Sequence, residues 1–160
     1  MTAPDLVALL ARRGETVAAA ESLTGGRVAM ALTSVAGASA VVRGGVVAYA
    51  TEVKVAVAGV PQPVIDSFGV ISAECAIAMA LGVRRRLGAT WGVATTGVAG
   101  PGLQEDQPVG TVFVAVAGPD DTCAERWALS GSRVEIQAAA TQRALQLLAR
   151  VVGREEPVVG

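Results

Sequence analysis

Apolar positions recur at helical spacing from the start of the chain. Leu6, Leu9 and Leu10 share a face, Thr2 and Asp5 stand at capping-box spacing, and Gly14 ends the run. A short strand is predicted over 16–20, and it hands over through Glu21-Ser22-Leu23-Thr24-Gly25-Gly26 to a second helical pattern, Val28, Ala31, Leu32 and Val35, which stops at Gly37. Positions 41–50 read as a strand interrupted by Gly44-Gly45, and Thr51 is the expected cap of a short helix running through Lys54 to about Ala58. Pro61 and Pro63 mark a turn and a further helix start. Ser72 is the expected cap of a longer helix, with Ile77, Leu81 and Leu87 on one face and Gly88 behind its triple arginine. A strand over 91–96 ends in the loop Gly97-Val98-Ala99-Gly100-Pro101-Gly102. Two further strand-like runs, 109–117 and 122–130, are joined by Gly118-Pro119-Asp120-Asp121 and predict a hairpin. Ser132 and Glu135 have capping-box spacing ahead of a last helix carrying Ile136, Ala140, Ala144, Leu147 and Val151. Strands interleaved with helices, plus one hairpin, predict an α/β fold: a single three-layer α/β/α domain over 1–152 with a mixed β-sheet, and a frayed tail over 153–160.

Composition narrows what such a domain can do. The 160 residues are 52% hydrophobic but only 3% aromatic, so the core must be built from Ala, Val and Leu and a base-stacking platform is poorly supplied. The formal charge of −1 and a single basic cluster, Arg84-Arg85-Arg86, which reads as a solvated helix end, argue against direct nucleic-acid binding. Cys75 and Cys123 lack metal-ligand spacing and read as reduced thiols, the chain's start lacks a signal-peptide layout, and no segment reads as membrane-spanning; a cytoplasmic location is expected. A chain this apolar is also expected to bury surface against a copy of itself as a homo-oligomer.

Histidine is absent, which removes the Ser-His-Asp and Cys-His nucleophiles, the imidazole base and the commonest metal ligand. No metal site and no cofactor are expected. Of the 13 basic residues only Lys54 is not arginine, so it alone can give up its proton near neutral pH once desolvated. The sole tyrosine, Tyr49, lies five positions upstream. Ser22 sits where a strand hands over to a helix, so its hydroxyl either serves as a nucleophile or, like that of Thr24, caps the helix. Glycines 25 and 26 allow backbone N–H groups to approach a ligand there. Ser22, Lys54 and Tyr49 thus form a candidate set of nucleophile, base and relay or orienting hydroxyl. The loop after the predicted 91–96 strand, with Thr95, Thr96, Gly97 and Gly100, offers hydroxyls and amides suited to a phosphate or ribose, although its glycines follow neither dinucleotide nor P-loop spacing. Arg133 occupies the first turn of the last helix, where acids are preferred, and suggests an anion held nearby. Glu21 beside Ser22 can orient the loop.

Five segments read together carry a family resemblance: Ala20-Glu21-Ser22-Leu23-Thr24-Gly25-Gly26, Tyr49-Ala50-Thr51-Glu52-Val53-Lys54, Gly69-Val70-Ile71-Ser72-Ala73-Glu74, Thr96-Gly97-Val98-Ala99-Gly100-Pro101-Gly102 and Pro108-Val109-Gly110-Thr111-Val112. They closely resemble the C-terminal domain family of the competence/damage-inducible protein CinA, whose active members are nicotinamide-nucleotide amidases. The resemblance implies a three-layer α/β/α fold and hydrolysis of the carboxamide of nicotinamide mononucleotide, or a related small carboxamide nucleotide, to nicotinate mononucleotide and ammonia. By position it makes Ser22 the nucleophile, Lys54 the general base and Tyr49 its partner, and it places Thr96 and Arg133 in the active site. Substrate contacts are then expected from Thr24, Gly25, Gly26, Arg43, Thr96, Gly97, Gly100 and Arg133, with the oxyanion held near Gly25 and Gly26, the phosphate at Arg133, and Arg43 or Arg133 helping to lower the Lys54 pKa. The chain departs from the family pattern at Leu23, often Cys; at Gln137, often a second Arg; at Gln107, often Lys; and at Leu103, which interrupts a glycine run. The alternative is a catalytically silent nucleotide-binding or regulatory module.

Overall fold

A computed structural model describes residues 1–154; residues 155–160, including Glu155-Glu156 and most of the predicted tail, lie outside the described part. The elements follow in the order α1 (Ala3–Arg13), β1 (Val17–Glu21), α2 (Arg27–Thr33), a 3-10 turn (Ala38–Ala40), β2 (Val42–Val47), α3 (Thr51–Ala56), α4 (Gln62–Phe68), α5 (Ala73–Arg86), β3 (Trp91–Gly97), β4 (Thr111–Ala117), β5 (Thr122–Ala128) and α6 (Arg133–Arg154). The strands form one mixed sheet in the order β2-β1-β3-β4-β5, parallel across β2, β1 and β3 and antiparallel across β4 and β5. No helix among the described residues is long and apolar enough to cross a membrane.

The alternation of side chains along the strands divides the core in two. Val17 and Ala19 of β1 and Val112, Val114 and Val116 of β4 face a layer made by α1, α2 and α6. Ala18, Ala20, Ala115 and Ala117 face the opposite layer, dominated by α5. Valine on one parity and alanine on the other let α5 approach the sheet closely. Its buried face is Cys75, Ala76, Ala78, Met79, Ala80, Gly82 and Val83, whereas Ile77 and Leu81, predicted as its apolar face, are only half-buried. Two glycines let α5 pack closely: a β-carbon at Gly92 of β3 would overlap the Ala80 carbonyl of α5, and one at Gly82 would overlap the Ala58 carbonyl in the turn after α3. Gly82→Ala therefore costs about 2 kcal/mol of stability, because backbone overlap outweighs the roughly 1 kcal/mol alanine gains over glycine within a helix. A lower thermal midpoint checks this, and an unchanged one contradicts it.

Both predicted capping boxes form. Thr2 and Asp5 exchange bonds at α1, and the Glu135 side chain accepts from the Ser132 N–H at 2.7 Å at α6. Ser72 accepts from the Cys75 N–H as expected. Three predictions are corrected. Thr51 is the first residue of α3 and caps nothing, since the N-cap is Ala50 without a side-chain bond. The Gly44-Gly45 pair does not end β2, but the pairing with β1 shifts register just before it, from Val17–Val42 to Ala18–Gly44, and Gly45 packs directly against Ala19 of β1 and Ala29 of α2. Gly153 and Arg154 continue α6 rather than fraying. The arginine cluster ends α5 with Arg85 and Arg86 exposed as expected, while half-buried Arg84 donates to the Thr90 carbonyl and Arg86 to that of Ala56.

Candidate active site

β1 lies between β2 and β3, both parallel to it, so the loops leaving the carboxyl ends of these three strands converge where ligands of α/β sheets bind. Ser22 follows β1, Tyr49 and Lys54 follow β2, and Gly97 closes β3. A cleft of about 370 Å³ opens there, lined by Ser22, Leu23, Tyr49, residues 97–100 and 102–104, and Arg133. That volume suits a small-molecule ligand.

The Lys54 ammonium lies beneath Ser22 and is only 2% exposed. Its Nζ stands 3.0 Å from Ser22 Oγ, 2.9 Å from the Ala48 carbonyl and 2.9 Å from the Tyr49 carbonyl. Desolvation lowers the Lys54 pKa from its ordinary 10.5, opposed more weakly by the nearby Cys75, Glu105 and Glu52. The neutral amine has two hydrogens and one lone pair. With the hydrogens donated to the two carbonyls, the lone pair is left for the Ser22 hydroxyl proton.

Ser22 is held from both sides. Its N–H donates to the Thr95 carbonyl, and its own carbonyl accepts from the Gly25 N–H at 3.1 Å. The following loop is fixed by Glu21, which is 1% exposed. The Glu21 carboxylate accepts from Thr24 Oγ1 at 2.6 Å and from the N–H groups of Gly26, Val28 and Ala29 at 3.1, 3.0 and 2.8 Å. Thr24 in turn shares a 2.7 Å hydrogen bond with Thr95. Neither Ser22 nor Thr24 caps α2: Glu21 does so from the preceding strand. Gln137 adds a contact from α6, its amide donating to the Leu23 carbonyl at 2.9 Å from a buried position.

At the mouth of the cleft, Arg133 donates to the Gly100 carbonyl and to the Tyr49 hydroxyl, both at 2.6 Å. Among the described residues it is the one charged side chain lining the cleft. The Tyr49 side chain is 57% exposed and its hydroxyl meets Arg133, so it is the Tyr49 backbone carbonyl that touches Lys54.

The structure therefore brings together Ser22, Lys54, Tyr49, Gly97, Gly100 and Arg133. The other five predicted contacts are not placed as expected. Arg43 stands at the opposite end of β2 and donates to the Leu87 carbonyl, too remote to act on Lys54. The N–H groups of Gly25 and Gly26 are taken by Ser22 and Glu21, so neither holds an oxyanion. The Thr24 hydroxyl is buried in the Glu21–Thr95 network, and Thr96 Oγ1 donates to the Val70 carbonyl at 2.6 Å instead of facing the cleft.

The family model for the CinA C-terminal domain matches residues 2–152. The chain belongs to the CinA C-terminal domain family. CinA-like proteins of Frankia casuarinae and Anaeromyxobacter dehalogenans are 51% and 54% identical to it over 147 residues, covering 92% and 91% of this chain but 34% and 36% of their own length. The chain thus spans about a third of these curated relatives. Among solved structures, the competence damage-inducible protein A of Klebsiella pneumoniae superposes with a TM-score of 0.90 at 30% identity, covering 98% of this chain and 100% of its own. The competence/damage-inducible protein of Agrobacterium tumefaciens gives 0.85 at 34% identity, covering 94% and 95%. The three-layer α/β arrangement with its five-stranded mixed sheet is thus the CinA-superfamily fold. The partner of Gln137 was not readable from sequence, because it depends on α6 packing over the Ser22 loop, whereas the donors on Glu21 lie only three to eight positions downstream and could have been sought at the start of α2.

Proposed function

We propose that this CinA-family domain is a serine-lysine amidohydrolase that converts nicotinamide mononucleotide to nicotinate mononucleotide and ammonia. The observation that carries the reading is the buried Lys54 amine, held by two carbonyls with its third position on Ser22 Oγ. A surface lysine has no need of such a setting, and binding alone has no use for it. Lys54 takes the Ser22 proton as Oγ attacks the carboxamide carbon, and the resulting ammonium returns a proton to the departing ammonia. Water then releases the acyl-enzyme, with Lys54 again as base. Among the described residues no protein group accepts from the Leu23 N–H, and Leu23 lines the cleft, which makes this amide the best oxyanion donor. Arg133 meets the 5′-phosphate, exchanging its bonds to Gly100 and Tyr49 for charged ones.

The test is ammonia release by the purified chain from nicotinamide mononucleotide, with the riboside as comparison. The nucleotide is turned over and the riboside much less well; silence toward both contradicts the reading. Arg133→Ala raises KM for the nucleotide about tenfold or more, since a hydrogen bond to a charged group contributes roughly 1.5–3 kcal/mol. An unchanged KM removes Arg133 from phosphate binding.

A further inference from the structure

The cleft wall at residues 102–104 belongs to a small hairpin, closed by paired backbone bonds between Gln104 and Gln107. Its two tip residues, Glu105 and Asp106, both adopt left-handed backbone conformations, with φ of 51° and 58°, although neither is glycine. A two-residue hairpin turn of this kind requires such φ values at both positions. The turn is docked by the Glu105 carboxylate, whose oxygens accept separately from the Val70 and Ile71 N–H groups, each at 3.0 Å. The donor site is shaped for it: a β-carbon on the neighbouring Gly69 would collide with that carboxylate. The Val70 peptide is gripped on its other side by Thr96, which donates to its carbonyl. At the far end of the same wall, Arg133 holds the Gly100 carbonyl. The wall from 98 to 104 is therefore pinned at both ends, and Leu103, 69% exposed, projects from it as an apolar side chain.

The geometry points to Glu105 as a positioning residue: its carboxylate docks the hairpin on the Val70–Ile71 backbone and so fixes the wall against which the nucleotide is held over Ser22. This rests on the amidase reading for its substrate, but the dock itself can be judged without one. Glutamine has the right length yet only one acceptor oxygen, and its amide would face an N–H donor. Glu105→Gln and Glu105→Ala both speed amide hydrogen exchange at Val70 and Ile71 at least about tenfold. With nicotinamide mononucleotide, measured on the high-pH plateau where loss of the Glu105 charge no longer changes the protonation of Lys54, KM rises about tenfold or more while kcat stays within about threefold, because Glu105 bonds to neither Ser22 nor Lys54. Unchanged exchange overturns the dock, and faster exchange with unchanged KM overturns its role in holding substrate. So does a fall in kcat without a rise in KM. If the parent chain releases no ammonia, the functional reading fails, and the exchange rates together with calorimetric binding of the nucleotide still decide whether Glu105 positions the wall.

Discussion

Lys54→Met lowers ammonia release from nicotinamide mononucleotide at least ~10²-fold, and Ser22→Ala does the same, with little further loss when the two are combined. The non-additivity follows from the geometry. Nζ and Oγ, 3.0 Å apart, act as one unit, so removing either removes the proton transfer. Lys54→Arg does not rescue, because a guanidinium keeps its proton. The pH dependence has a definite sign. Activity needs the neutral amine, so kcat/KM rises with pH through a midpoint below the ordinary lysine value of 10.5, set by desolvation. Stability carries the same signature. The folded pKa lies below the unfolded one, so between them the unfolded chain binds more protons and stability increases with pH. That gain starts at the lowered folded value, ends near 10.5, and is missing in Lys54→Met. Thermal midpoints of the two proteins against pH measure it. Parallel curves, or a variant that keeps its turnover, would show that Lys54 is not the buried base.

The Ser22–Lys54 contact was legible because composition left few candidates: without histidine, the one lysine and the one tyrosine were the groups to look for beside a serine at a strand-to-helix junction. The strand ends explain the failure at Arg43. It starts β2 whereas Tyr49 follows it, and six extended residues span roughly 20 Å, so a position near Lys54 in sequence lies at the wrong edge of the sheet. The error at Gly25 and Gly26 has a different cause. Glycine at a helix start permits an anion to approach, but pattern cannot tell whether the anion is a ligand or a carboxylate of the chain, and here Glu21 takes the place. Tyr49 lies at the cleft but not with its hydroxyl on Lys54: the hydroxyl reaches Arg133, and it is the backbone carbonyl that accepts from Lys54. Glu105 carried no signal at all. Its partners, the N–H groups of Val70 and Ile71, lie 35 and 34 positions away and become acceptors' targets only once the sheet has formed.

Glu21→Ala destabilises the domain by about 3 kcal/mol or more, the largest loss expected from any single charged residue here. The carboxylate satisfies four donors in the interior: one hydroxyl and three N–H groups at the start of α2. A donor left buried without an acceptor costs about 1–3 kcal/mol, and water entering at the partly exposed Gly26 and Ala29 offsets only part of the sum. For a domain of this size such a loss lowers the thermal midpoint by roughly 10 °C. Glu21→Gln loses less, because one oxygen remains, but its amide then faces donors. Activity falls further than stability alone explains. Glu21 holds the loop whose first residue is Ser22, and a displacement of about 1 Å at a nucleophile can cost ~10²-fold. The measurement is kcat/KM at a temperature where both proteins are fully folded by circular dichroism, set beside the midpoints. A variant with an unchanged midpoint would mean that water replaces the carboxylate without penalty. A destabilised variant with normal kcat/KM when folded would mean that the loop holds Ser22 in place through Thr95 and Gln137 without Glu21.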